Sequence, residues 1–63
     1  MEAYEQRVID EKDALDTKRS KLSAFFQGAL FVTLLAEEKD RLRRQGIIME
    51  NYSVILGERI AAF

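Results

Sequence analysis

Ten Lys/Arg and eleven Asp/Glu side chains share this 63-residue chain with two tyrosines, and there is no histidine or cysteine among them. Imidazole bases, thiol nucleophiles and the commonest zinc ligands are therefore missing. Asp10, Asp13 and Asp16 recur at three-residue intervals, which places them along a solvent-facing helix surface without the convergence a metal needs. No glycine-rich loop follows a strand, so a phosphate-cradling loop is absent. These residues do not describe an enzyme. The chemistry they can do is recognition, with guanidinium and ammonium groups gripping phosphate oxygens and tyrosine rings stacking on a base.

The cations are not spread evenly. Residues 1–16 carry six acids against two bases, residues 17–44 seven bases against three acids, and residues 45–63 two acids against one base. Lys18, Lys21, Arg41 and Arg44 are the ligand candidates of the basic middle. Arg7 and Arg59 are the alternatives near Tyr4, and Tyr52 is the second ring available for stacking. A net charge of −1 opposes a non-specific coat on a nucleic-acid polymer. No cofactor is called for, and no membrane partner.

These side chains need long helices to position them. Leu35, Leu42, Met49, Leu56 and Phe63 recur at seven-residue intervals, and Val8, Leu15 and Leu22 repeat the spacing earlier, with Phe25 on the same stripe. A sevenfold apolar repeat lays one helix face against another helix. The expected fold class is all-α, a single domain over 1–63: helix one about 3–27, turn 28–35, helix two about 36–62, paired as an antiparallel coiled-coil-like hairpin. Gly28 is the expected left-handed helix stop, and Phe31 and Leu34 are expected to plug the hairpin's closed end. The longest apolar run, Ala24 to Ala36, is well short of the roughly 20 residues of a membrane span. Two helices enclose no core, and neither disulfide nor zinc can staple them, so both seams should be buried by self-association into a homo-oligomeric helical bundle.

Taking Tyr4, Glu11, Lys18 and Phe25 as the second heptad position, and pairing residues whose numbers total about 63, sets Glu11 opposite Tyr52 and Lys18 opposite Gln45. Tyr4 and Arg7 then lie against Arg59 and Leu56. A polar file of Tyr4, Arg7, Glu11, Lys18, Gln45, Tyr52 and Arg59 results. It serves either as a register device or as the lining of a pocket between subunits.

The string Arg7-Val8, Glu11-Lys12, Leu15-Asp16, Lys18, Lys21-Leu22 and Phe25, then Phe31, Leu34, Glu38, Arg41-Leu42 and Gln45, with the ending Met49-x-x-Tyr52-Ser53-x-x-Leu56-x-Glu58-Arg59-Ile60, resembles a family of small phage and prophage proteins, some carrying a crAss-like-phage-related label. Leu35-Ala36 and Gly46 depart from that pattern. The resemblance implies a phage accessory protein in the host bacterial cytoplasm. By analogy of fold alone, the chain is similar to several phage proteins of this size and helical-hairpin build that act as oligomeric anti-defence sponges. They take up cyclic nucleotide or ADP-ribose-type signals of immune systems such as CBASS and Thoeris. They lack this chain's motifs, so no binding residue carries over. The expected function is therefore sequestration of such a nucleotide signal between subunits. The alternatives are docking of a helix face onto a host defence or replication protein, and a structural or assembly role.

Overall fold

Residues 3–26 contain neither proline nor glycine, and in the computed structural model, which describes all residues Met1–Phe63, they form one uninterrupted helix, α1 (Ala3–Phe26). Its start is held by the Glu5 carboxylate, which accepts the Glu2 backbone N–H at 2.7 Å, satisfying one of the donors a helix start leaves open. The chain then turns at Gln27 and Gly28, whose N–H groups donate to Ala24 and Phe25 carbonyls at 3.2 and 3.1 Å. Gly28 is extended, with φ −87° and ψ 164°, and caps the next helix. The left-handed stop expected there does not form, because the chain restarts as helix at once.

The segment read as a turn is itself helical over α2 (Ala29–Thr33). One side of that turn delivers Phe31 into the closed end, where it is buried. Phe25 and Phe26 meet its ring edge-on at 6.2 and 5.2 Å between centroids, the arrangement the ring quadrupole favours. Lys39 and Arg43 stand over the same ring at 5.7 and 5.2 Å, close enough for cation–π attraction. Leu34 is half-buried beside the plug.

Leu34 and Leu35 are extended, and α3 (Ala36–Ala61) begins from the Leu35 carbonyl, which accepts the N–H groups of Glu38 and Lys39 at 3.0 Å each. Glu37 and Glu38 place negative charge at the positive end of the helix dipole. The two long helices run antiparallel in a rod of 46 × 15 × 13 Å. The fold is all-α with no strand, essentially one long helix pair plus a short connecting helix. No helix is long and apolar enough to cross a membrane.

Val8, Leu15 and Leu56 form the buried interior, with Met49 and Ile60 packed against them. Of the heptad string on α3, only its central part faces inward. Leu35 is 76% exposed and Phe63 is 43% exposed, the latter held edge-on by Tyr4 at 5.8 Å.

The second seam position also differs from the sequence reading. On α1 it falls four residues after Val8, Leu15 and Leu22, at Lys12, Arg19 and Phe26. On α3 it falls at Gly46, Ser53 and Ile60. Spacings of three and four both keep a residue on the same helix stripe, and tertiary packing decides between them. Here the small residues decide. A Cβ at Gly46 would lie 3.5 Å from Leu22 and Phe26, and one at Gly57 3.5 Å from Lys12. Gly46, Ser53 and Gly57 thus give α1 room for its longer side chains. Facing positions accordingly total about 68, as Tyr4 with Phe63 and Leu22 with Gly46 illustrate, instead of about 63.

Candidate functional site

The polar file expected along the hairpin is not a seam. Tyr4, Arg7, Glu11, Lys18, Gln45, Tyr52 and Arg59 are all exposed. The polar contact that does cross the hairpin is built from Lys12, Asp16 and Ser53. Ser53 is almost completely buried, and its hydroxyl donates to Asp16 Oδ1 at 2.6 Å. Lys12 Nζ donates to Ser53 Oγ at 2.7 Å and to Asp16 Oδ2 at 2.9 Å, while Arg19 donates to Asp16 Oδ1 at 3.0 Å. Every buried polar side-chain atom has a partner. Asp16 therefore belongs to the helix interface and not to a solvent-facing carboxylate row.

The Ser53 hydroxyl, then Lys12 and Arg19, hold the Asp16 carboxyl far below its ordinary value of 3.8. All three interactions favour the charged form. A lowered folded-state pKa contributes stability that is fully present above the ordinary value and is lost as pH falls through the depressed one. Asp16→Asn should therefore lower the melting temperature at neutral pH, and the gap between variant and parent should shrink as pH falls below 3.8. Melts followed by circular dichroism across that range check this. A gap that does not change with pH contradicts it.

Next to this cluster, toward the closed end, α1 and α3 part to leave an open groove of about 440 Å³. Leu22, Phe26 and Ile47 supply its apolar surface, Gly46 its depth, and Arg19, Arg43, Ser23 and Glu50 its polar groups. A Cβ at position 46 would touch Leu22 and Phe26 at 3.5 Å, so a side chain longer than a methyl there would reach into the groove. The guanidinium of Arg19 has one N–H committed to Asp16 and offers others. Arg43, over Phe31, contributes a second planar fork from the opposite helix.

None of the eight residues singled out from sequence lines this groove. Arg41 and Arg44 donate to Glu38 and Asp40 at 2.9 Å within α3. Arg7, Lys18, Lys21, Tyr52 and Arg59 are exposed elsewhere on the rod, and Tyr4 lies at its open end against Phe63. Arg19 and Arg43 were missed because each was counted only as charge. The four-residue step from Leu15 to Arg19 and from Leu42 to Gly46 sets a cation on α1 beside a gap on α3 and so points to Arg19, whereas no spacing on α3 singles out Arg43.

Residues 2–62 match the Sequestin family. An Enterobacteria phage T4 protein, described as an uncharacterized 7.5 kDa protein in the denB-rIIB intergenic region, is similar over the whole length. It is 43% identical over 63 residues, spanning 100% of this chain and 98% of that one. No solved structure matches the chain. With residues 2–62 matched by one family and the whole chain covered by a phage relative, the chain belongs to the Sequestin family.

Proposed function

We propose that this protein captures and sequesters a small phosphate-bearing nucleotide signal, of the cyclic oligonucleotide or ADP-ribose type, and so acts as a phage anti-defence protein in the host cytoplasm. One observation carries the reading: two arginines from opposite helices flank a groove of about 440 Å³ whose wall is apolar and aromatic. Small-molecule sites are commonly clefts of roughly 300–1,000 Å³ with an apolar lining and a few polar anchors. Planar guanidinium groups suit phosphate oxygens, which they bind in bidentate fashion. The exposed part of the Phe26 and Leu22 surface suits the flat face of a base. Glu50 and Ser23, on the same lining, supply an acceptor and a hydroxyl for ribose or base N–H groups. The family description, Sequestin, agrees with a sequestering role.

A thermal-shift screen tests it, using cyclic di- and trinucleotides, ADP-ribose isomers and inorganic phosphate at equal concentration. A ligand that binds only the folded chain at about 100 times its Kd adds about 2.7 kcal/mol, several degrees for a domain of this size. One nucleotide class should produce such a shift while inorganic phosphate does not. No shift with any of them overturns the reading in favour of docking onto a host protein.

A further inference from the structure

The outer face of α3 is unusual for a helix turned to water. Ile47, Ile48, Val54 and Ile55 are all more than half exposed there, whereas the outward face of α1 is made of residues such as Gln6, Asp10, Asp13, Thr17 and Lys21. At about 100° per residue these four isoleucines and valines share roughly a third of the α3 circumference with Arg44, Asn51 and Glu58. We infer that this face is where a second copy of the chain docks, the two α3 helices crossing antiparallel about a two-fold axis at Asn51.

The order of the residues selects that partner and that direction. A two-fold axis at Asn51 sets Ile48 against the partner's Ile55 and Ile47 against the partner's Val54, two apolar pairs that repeat by symmetry. The same axis sets Arg44 against the partner's Glu58, once at each end, so the apolar patch is closed on both sides by opposite charges. A parallel arrangement would oppose arginine to arginine and glutamate to glutamate instead, which is repulsive. Arg44 already donates its Nε to Asp40 at 2.9 Å, leaving its terminal nitrogens to reach across. Arg44 and Glu58 lie fourteen residues apart in the sequence, about 21 Å along a helix. Asn51 at the centre meets its own copy, and a lone asparagine in an apolar seam fixes register at some cost in stability. The surface is self-complementary, as an isologous interface must be.

The pairing has a consequence for the groove, which rests on the ligand reading given above. Ile47 belongs both to the groove wall and to the docking face. The two-fold axis leaves both grooves opening on the same side of the dimer, and it brings the partner's Val54 to the rim of each. The binding site is then completed by the second copy.

The experiment needs no ligand, so its failure is distinct from failure of the sequestering role. Light scattering of the unmodified chain should give at least twice 7.3 kDa. Ile48→Glu combined with Ile55→Glu should reduce it to the single-chain mass with helicity retained. Arg44→Glu alone and Glu58→Arg alone should each weaken association, and the two together should restore it. The chain contains no cysteine, so Asn51→Cys should yield a disulfide-linked dimer on mild oxidation, whereas Asp13→Cys on the outer face of α1 should not. A single-chain mass for the unmodified protein overturns the proposal. So does association that persists through the glutamate pair, or an Asn51→Cys variant that forms no covalent dimer.

Discussion

Leu56→Ala should abolish or nearly abolish the fold, while Leu35→Ala should leave it almost untouched, although both residues belong to one sevenfold string. Leu56 is 1% exposed and sits with Val8 and Leu15 at the centre of the only buried cluster; Leu35 is 76% exposed. Emptying a filled core site costs about 2–5 kcal/mol through lost burial and the cavity left behind. Folded domains hold only about 0.05–0.15 kcal/mol per residue, so one such loss consumes most of the stability of a chain this short. A substitution at an exposed position stays within about 0.5 kcal/mol. Urea unfolding of both variants, followed by helical circular dichroism, measures the difference. Equal effects would mean that the interior is not centred on Leu56.

The second large effect is on binding. Arg43→Ala should weaken capture of the phosphate-bearing ligand about tenfold or more, since a hydrogen bond to a charged group is worth about 1.5–3 kcal/mol. Arg43→Lys should recover only part of this, because an ammonium keeps the charge but not the planar fork. Arg19→Ala should also weaken binding, but it removes one donor from Asp16 as well, so its effect on stability has to be measured alongside. Arg7→Ala and Arg59→Ala, on exposed positions away from the groove lining, should leave affinity unchanged. Calorimetric titration of the four variants separates these outcomes. Loss of affinity at Arg7 or Arg59, and none at Arg43, would move the site to the open end.

The hairpin was legible because apolar residues at sevenfold spacing, the lack of proline and the placement of Gly28 all agree on two long helices. Phe31 as a plug was legible too, since an aromatic between two helices has nowhere else to be buried. The seam's second position was not. Steps of three and four residues are equivalent on a bare helix, and the choice depends on what the other helix offers. Gly46 and Ser53 settle it by being small, and Ser53 does so as a polar residue in a place where apolar ones are expected. Once the step is four, Lys12 reaches Ser53 and Asp16 across the edge of the helix interface, the expected polar file turns outward, and Arg19 and Arg43 border a gap that no single-helix pattern reveals. The apolar outer face of α3 was hidden for a similar reason, because Ile47, Ile48, Val54 and Ile55 lie beside the sevenfold string and not on it.

The central claim is that a ligand enters the groove between α1 and α3, and amide chemical shifts test it most directly. Only three glycines are present, so the Gly46 amide is readily resolved and stands inside the groove lining, while Gly57 lies farther toward the open end beside Lys12. Titrating the nucleotide selected by the thermal screen into ¹⁵N-labelled protein should move the amides of Ser23, Phe26, Gly46 and Ile47 most and leave Tyr4 and Gly57 in place. Shifts concentrated at Tyr4, Tyr52 and Arg59, with Gly46 unmoved, would contradict the account.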